Sequence, residues 1–344
     1  MRAGEFTLQR FPTRTAPHSP TLEHVSFRAM ASEINFQLVD PNVQASDAVA
    51  RAQRVFADLE AACTRFDSQS PLMLANAAGD SWYEVPRVCF EAIKEAYDAY
   101  VATKGVFDPR VLKSLTANGY DNSLPFTEGN VEIAGMPEDS STASPDLVNS
   151  QPWRPQFESV RSLVRIGSEP IDLGGIGKGL AVRLATAQLN RGARACLVDA
   201  GGDCFLSGAG PDGHGWRVAI EDPRGGSEPV AVLNVIDAGC ATSSTRVRNW
   251  KVGKRRVHHL IDPRTGQPGG AGLRSVTVVG PDTAQAEVWS KTLFLAGLDD
   301  IAAAAAQTNL AAFWVTETGN LHWSEPMAPH IIWTRPESEG SLHG

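Results

Sequence analysis

Residues 171–180 read IDLGGIGKGL, a glycine-rich segment that carries one lysine and leads into a run with helical periodicity. The segment is not a Walker A loop, since Asp172 and Gly179 stand where that loop needs its first glycine and its Ser or Thr. It is not a dinucleotide fingerprint either, because Leu180 occupies the third glycine position. Glycine N–H groups at a helix start can bind an anion, and Lys178 adds positive charge. A tight turn with a solvated lysine explains the segment equally well.

The composition is that of an ordinary globular protein, with 344 residues of which 42% are hydrophobic and 20% charged. A formal net charge of -8 argues against a nucleic-acid partner or an anionic membrane partner. No window approaches the roughly 18 apolar residues of a membrane span. The N-terminus lacks the apolar region of a secretory signal, so we expect a cytoplasmic protein. Without C-x-x-C spacing, five cysteines are predicted to be buried thiols: Cys63, Cys89, Cys196, Cys204 and Cys240.

Changes in composition predict one domain with two tails. We expect a flexible N-terminal tail over residues 1–24, a domain over 25–333 and a loose C-terminal tail over 334–344. Within the domain, residues 121–159 are rich in Ser, Pro, Asp and Asn, and their weak periodicity predicts an irregular insert without chemistry.

Apolar periodicity predicts the main elements. Residues 24–39 alternate as a strand pair or one long bent strand. Residues 45–66 have helical spacing, and another helix is predicted to begin at Pro86. Strands then alternate with helices that begin near Gly177 and Ala284. Hairpin strands beside crossover helices favour an α+β fold over a purely parallel sheet.

Two polar segments lie between predicted strands of the second half. Residues 198–208, VDAGGDCFLSG, are explained by a hairpin turn. Residues 240–250, CATSSTRVRNW, carry hydroxyl groups followed by Arg246 and Arg248, which can donate to phosphate oxygens. An exposed, capped loop is an equally good interpretation of the second segment.

The segment VHHLIDPRTGQP, residues 257–268, places two histidines on a strand before a turn. A histidine near Asp262 can serve acid–base chemistry or ligand recognition. A pair of histidines with a purely structural role is the alternative.

The segment AQAEVWSKTLFLAG, residues 284–297, has helical periodicity. Its spacing puts Glu287, Ser290 and Lys291 on one helix face, at i, i+3 and i+4. Glu287 and Lys291 could equally be a surface ion pair of little energetic weight.

Taken in order, these motifs resemble the ApbE family of FAD:protein FMN transferases over roughly residues 28–325. The D-L-G-G-I-G-K-G loop and the H-x-I-D-P-x-T-G-x-P turn carry the resemblance most specifically. It implies an α+β, two-lobed fold that contains a T-fold-like region and binds FAD in the cleft between the lobes. It also implies transfer of FMN from FAD to a Thr or Ser hydroxyl of an acceptor flavoprotein, with release of AMP and with Mg²⁺ as the metal.

The resemblance implies the site residues position by position. Residues at FAD-contacting positions are Met30, Phe66, Val106, Phe107, Asp108, Asp172, Lys178 and Ile261. Residues at the magnesium positions are Gly175, Glu287, Ser290 and Lys291. The candidate catalytic residues are His259, Asp262 and Lys178.

The chain departs from the family pattern at several of these positions. Lys291 stands where the family has threonine, and an ammonium group cannot ligate a metal because it has no acceptor. Lys291 therefore either neutralises the pyrophosphate in place of a metal ligand or abolishes the metal site. Arg183 occupies a commonly acidic position, and Ala31 follows Met30 in place of the usual glycine. Two other functions stay open: an FAD-binding protein without transferase activity, and an FAD pyrophosphatase in which water replaces the acceptor hydroxyl.

Overall fold

The computed structural model describes residues 19–122, 131–133 and 151–336. The α-helices are α1 (Ala45–Cys63), α2 (Pro71–Ala78), α3 (Arg87–Ala102), α4 (Leu112–Ala117), α5 (Gly177–Leu189) and α6 (Thr283–Thr308), and a 3-10 helix spans Glu325–His330. The strands of the first half are β1 (Leu22–Ala29), β2 (Ser32–Pro41), β3 (Tyr83–Glu84), β4 (Val131–Ile133), β5 (Gln156–Glu158) and β6 (Leu163–Arg165). Those of the second half are β7 (Ala193–Ala200), β8 (Asp203–Ser207), β9 (Trp216–Glu221), β10 (Pro229–Val235), β11 (Ala238–Ser244), β12 (Asn249–Val252), β13 (Arg255–His258), β14 (Ile261–Asp262), β15 (Gln267–Pro268), β16 (Leu273–Gly280), β17 (Ala311–Thr316), β18 (Leu321–Trp323) and β19 (Ile331–Thr334).

An eight-stranded sheet with the order β1-β2-β7-β8-β11-β16-β17-β18 organises the fold. Every neighbouring pair in it is antiparallel. Strand β2 pairs directly with β7, although α1 to α4 lie between them in the chain. The predicted α+β class is confirmed, and residues 24–39 form a strand pair rather than one bent strand.

Both faces of this sheet are covered, because its strands alternate apolar side chains to either side. In β7, Cys196 and Val198 belong to the core formed with α1 and α5, whereas Ala195 belongs to the core on the opposite face. That opposite face is covered by the small sheet β19-β10-β9, which contributes Trp216 and Leu233. Helix α6 packs on β11 and β16 on the same face as α1 and α5. The eight-stranded sheet therefore lies between a layer of helices and a small sheet.

A helical lobe is built from the end of α1 together with α2, α3 and the sheet β3-β6-β5. Its core includes Phe90, Ile93 and Trp153, and the indole Nε1 of Trp153 donates to the Ile166 carbonyl oxygen at 2.9 Å. Residues 151–159 therefore belong to the folded lobe, contrary to the predicted insert, and the segments 123–130 and 134–150 lie outside the described residues.

The N-terminus of α6 packs very closely on α5. A Cβ atom added to Gly179 would lie 2.6 Å from the Thr283 carbonyl oxygen and 2.7 Å from the Ala284 Cα. Asp282 caps α6 by accepting from the Ala284 N–H at 2.8 Å. Arg183 of α5 donates to the same carboxylate at 2.7 Å and to Glu95 of α3 at 2.8 Å. Arg183 thus ties three helices together, which explains the basic residue at this position.

The turn between β1 and β2 consists of Met30 and Ala31, whose φ angles are 52° and 56°. Two-residue hairpin turns with positive φ at both positions favour Asn and Gly, so two ordinary side chains here are strained. The N–H of Met30 donates to Glu60 Oε1 at 2.9 Å, which fastens the turn to α1.

Other predictions need correction. The polar segment after Cys240 is not a loop: its first half is β11, in which Ser243 is buried, and only residues 245–248 form a loop. Helix α2 was missed, and its start is capped by Ser70, which accepts from the Met73 N–H at 3.2 Å. Arg335 is not loose, because it pairs with Asp222 at 2.6 Å.

The cysteines largely match the prediction. All five lie in the described part of the chain without a disulfide, and four are buried. Cys63 is the exception, since it is half-buried and lines the cavity described below. Burial raises the pKa of Cys196 to about 12, so its thiol stays protonated at neutral pH. Within the described ranges, no helix combines the length and apolar character that crossing a membrane requires.

Candidate functional site

A cavity lies between the helical lobe and the central sheet with its helix α6. It encloses about 240 Å³, close to the lower end of the 300–1,000 Å³ typical of small-molecule pockets, and it opens to solvent. Its wall contains eleven of the residues predicted for the site: Met30, Phe66, Val106, Phe107, Asp108, Asp172, Gly175, Lys178, His259, Ile261 and Lys291. Three predicted residues, Asp262, Glu287 and Ser290, are buried just behind this wall.

The glycine-rich loop brings its backbone to the cavity surface. A Cβ atom on Gly175 would lie 3.0 Å from the Phe107 ring, and one on Gly177 would lie 3.3 Å from the Met30 methyl carbon. Helix α5 begins at Gly177, so its N-terminal N–H groups and partial positive charge lie at this wall. Glycine is needed here because side chains would displace the residues that shape the cavity.

An arginine held between two aromatic rings forms another part of the wall. The guanidinium carbon of Arg65 lies 4.3 Å from the Phe66 ring centroid and 4.2 Å from that of Tyr120. Its Nε lies 3.6 Å from Asp172 Oδ1, whereas its buried Nη2 has no hydrogen-bond partner among the described residues. Buried donors without a partner are rare in folded proteins. Sequence reasoning identified Phe66 and missed Arg65, because no motif marks it.

Two lysines and two carboxylates meet beneath the glycine-rich loop. The ammonium group of Lys178 contacts the carboxylate of Asp203 and lies 4.0 Å from Glu287 Oε1. Lys291 Nζ lies 3.1 Å from the same Glu287 oxygen, and the Gly179 N–H donates to Oε2 at 2.8 Å. The carboxylate of Glu287 therefore joins α5 to α6 and places both lysines side by side.

Burial and neighbouring charges shift the pKa values of these groups. Burial lowers the pKa of Lys178 to about 7, although Glu287 opposes this shift. Burial also lowers the pKa of Lys291, again against Glu287. Burial alone would raise the pKa of Glu287, but Lys291 and Lys178 outweigh it and lower the pKa below its usual range. The carboxylate of Glu287 is thus ionised at neutral pH, and Lys178 loses its charge more easily than an ordinary lysine.

His259 follows directly after β13 and lies in the cavity wall. Its Nδ1 lies 3.2 Å from the Arg248 carbonyl oxygen, so with a proton on Nδ1 the Nε2 lone pair is available. Burial, helped by the positive charge of Arg248, lowers the pKa of His259 well below its usual value. The ring is therefore neutral at pH 7.

Two predicted aspartates are engaged in arginine pairs. Asp262 lies behind the wall, and Arg264 donates to both its oxygens at 2.9 Å and 2.8 Å. This geometry speaks against Asp262 as the general base, since both oxygens are occupied. Asp108 reaches the cavity wall, but Arg110 donates to both its oxygens at 3.0 Å and 2.6 Å.

The predicted metal residues lie together but do not present oxygen ligands to one point. A Cβ atom on Gly175 would lie 3.6 Å from the Cδ and Cε of Lys291, so the lysine chain runs along the loop. The hydroxyl of Ser290 is fully buried, donates to the Glu287 carbonyl oxygen at 3.0 Å and lies 2.8 Å from the Ser243 hydroxyl. Across residues 19–122, 131–133 and 151–336, no three His, Cys, Asp or Glu side chains cluster as metal ligands would.

Sequence reasoning missed several residues that build the site. The sequence predicts a simple hairpin turn at Asp203, and this turn exists between β7 and β8, yet the Asp203 carboxylate is also the partner of Lys178. Glu60 and Tyr120 carried no motif, although both line the cavity. Arg248 was one of two arginines considered for phosphate binding; it lines the cavity, whereas Arg246 pairs with Glu221 at 2.7 Å.

Comparison with known proteins identifies the family to which the chain belongs. The model of the ApbE family matches residues 30–314. The FAD:protein FMN transferase of Escherichia coli K12 is 31% identical over 160 residues, 45% of this chain and 46% of that protein. The Rhodobacter capsulatus protein of the same name is 30% identical over 267 residues, 76% of this chain and 48% of its own length. The chain thus spans about half the length of these curated relatives.

A solved structure has the same fold. The crystal structure of the ApbE protein from Thermotoga maritima superimposes with a TM-score of 0.75 at 23% identity, covering 90% of this chain and 98% of that one. At this identity the likeness shows the fold alone. The family match over most of the chain shows that the protein belongs to the ApbE family.

Proposed function

We propose that this protein transfers FMN from FAD to a Thr or Ser hydroxyl of an acceptor protein and releases AMP. The observation that carries the proposal is the cavity itself, in which an apolar and aromatic wall meets a glycine-rich helix start and two partly buried lysines. The names of the E. coli and R. capsulatus relatives, FAD:protein FMN transferase, support the same reaction.

The two kinds of wall suit the two ends of such a substrate. The ring system of a flavin is flat and largely apolar, and Met30, Phe66 and Phe107 offer contact surfaces of that kind. A pyrophosphate carries concentrated negative charge, which fixed cations and N–H donors stabilise most strongly where water is excluded. Lys178 and the N-terminus of α5 provide that environment at the glycine-rich loop.

In the proposed reaction the acceptor hydroxyl oxygen bonds to the FMN-side phosphorus while the bond from that phosphorus to the AMP oxygen breaks. The hydroxyl proton goes to the imidazole of His259, which lines the cavity and can present Nε2 when Nδ1 donates to the Arg248 carbonyl oxygen. Lys178 stabilises the charge that develops on the departing phosphate. The proposed reaction involves no magnesium ion, because Lys291 and Glu287, two residues expected to hold it, form an ion pair with each other.

Mass spectrometry of an acceptor tests the proposal against its two alternatives. The purified protein is incubated with FAD and a recombinant acceptor domain whose flavinylated threonine is known. The masses of both proteins are then measured. We expect the acceptor to gain the mass of FMN and an equal amount of AMP to appear. AMP and free FMN without acceptor gain would identify a pyrophosphatase instead, and intact bound FAD would identify a flavin-binding protein.

The affinity for FAD is expected to depend on pH through Lys178. Its pKa of about 7 in the free protein means that the ammonium loses its proton as the pH rises from 7. Bound pyrophosphate would favour the charged form, so the Kd for FAD should rise by up to about tenfold per pH unit above pH 7. Fluorescence titration of FAD between pH 6 and about 9 measures this slope, which Lys178→Gln should abolish. A Kd that stays constant over this range would contradict the assignment of Lys178.

A further inference from the structure

The residues that would hold a divalent cation in this site are already bonded to other protein groups. Glu287 Oε1 faces the ammonium of Lys291 at 3.1 Å, and its Oε2 accepts from the Gly179 N–H at 2.8 Å. The hydroxyl of Ser290 is fully buried between Ser243 and the Glu287 carbonyl. Magnesium needs oxygen ligands in a nearly octahedral arrangement, and this set does not fit it.

Charge repulsion adds to the lack of ligands. A divalent cation bound to Glu287 would lie within a few ångströms of the Lys291 ammonium, which approaches the same carboxylate oxygen. Two positive charges at such a distance repel each other, and this repulsion weakens the binding of a cation. A divalent cation could bind this oxygen of Glu287 only by displacing the Lys291 ammonium from it.

We propose that this site works without a divalent cation, and that the ammonium of Lys291, placed by Glu287 beside Lys178, supplies the positive charge to the pyrophosphate. This inference rests on the proposed transfer of FMN. Lys291 lines the cavity, and its aliphatic chain lies along Gly175 in the glycine-rich loop. Its charge therefore lies at the wall where the phosphates are expected, and Glu287 holds it there from the buried side.

The first test measures metal binding without any reaction. The protein is titrated with Mn²⁺, observed by electron paramagnetic resonance, first alone and then in the presence of FAD. We expect no Mn²⁺ bound to the protein itself, and in the presence of FAD no more than FAD alone binds. One tightly held Mn²⁺ per chain, lost in Glu287→Gln, would overturn the inference.

The second test follows FMN transfer to the acceptor domain after exhaustive treatment with a chelator. The rate in excess chelator should stay within about twofold of the rate in Mg²⁺, whereas a metal-assisted transfer would be much slower without its metal. A loss of roughly tenfold or more that Mg²⁺ restores would overturn the inference. If no FMN is transferred under any condition, the proposed function fails, and the Mn²⁺ titration still decides the question of the metal.

A paired substitution separates the charge of Lys291 from its packing. Lys291→Thr combined with Glu287→Asp removes the ammonium and leaves oxygen ligands, so this variant should bind Mn²⁺ and require Mg²⁺ for transfer. Lys113→Thr is the matched control. Lys113 is half-exposed, forms a 2.7 Å ion pair with Glu169 and does not line the cavity. It should behave as the unmodified protein does. A paired variant that transfers FMN equally well in chelator and binds no Mn²⁺ would refute the role assigned to Lys291.

Discussion

Gly179→Ala is expected to lower the free energy of unfolding by about 3 kcal/mol, at the upper end of the cost of overpacking a core. The added Cβ would come within 2.8 Å of three backbone atoms of Thr283 and Ala284, and backbone atoms cannot rotate away as a side chain can. The N–H of the same residue donates to Glu287 Oε2, so any separation of α5 from α6 also weakens the contact that orients the two lysines.

Chemical denaturation followed by circular dichroism measures the effect on stability. Gly280→Ala is the matched control, because Gly280 has ordinary backbone angles and open space where a Cβ would be placed. We expect its free energy of unfolding to change by less than about 0.5 kcal/mol, as for most surface substitutions. If Gly179→Ala were as mild as this control, the close packing of α6 on α5 would be wrong.

Lys178→Met should reduce the rate of FMN transfer by about 10²- to 10³-fold, the usual loss when one preorganised charge-stabilising group is removed. The reason is the position of Lys178 at the start of α5, where its ammonium adds to the positive end of the helix. Methionine keeps most of the aliphatic volume and removes the charge. The measurement is single-turnover formation of the FMN-bearing acceptor.

The buried partner of Lys178 complicates this substitution, and a second variant resolves the problem. Removal of the ammonium leaves the carboxylate of Asp203 buried without its cation, which destabilises a protein strongly. Combining Lys178→Met with Asp203→Asn removes both charges, and this double variant should fold while transfer stays low. Lys113→Met is the surface control. Transfer within about threefold of the unmodified rate in the folded double variant would exclude a charge-stabilising role for Lys178.

Strong local periodicity made much of the fold predictable. The helices that begin near Gly177 and Ala284, and the strand pair around Met30, follow from the spacing of apolar residues. Helix α2 could not be predicted from the sequence, because it is short and its residues lack a periodic polar face. The strand β11 was obscured by its hydroxyl side chains, which find partners such as Ser290 only in the folded chain.

The candidate site was predictable where a motif carries its residues and obscure where partners come from distant elements. Lys178, His259 and Lys291 belong to motifs, and all three line the cavity. That Lys178 contacts Asp203 could not be inferred, because only the pairing of β7 with β8 brings this carboxylate under the loop. The interpretation of Glu287 and Lys291 as a surface pair was wrong, since Glu287 is almost fully buried by the packing of α5 and α6.

The direct pairing of β2 with β7 affects how the chain folds during and after its synthesis. Residue 41 pairs with residue 193, so forming this strand pair brings together two segments that the whole helical lobe separates in the sequence. A loop of about 150 residues costs on the order of 4 kcal/mol in closure entropy, and such long-range pairing forms slowly. The wall of the cavity draws on residues from Met30 to Leu295, which means that a chain still emerging from the ribosome has no complete binding site. Flavin retention during synthesis would therefore report the moment at which α6 joins the sheet.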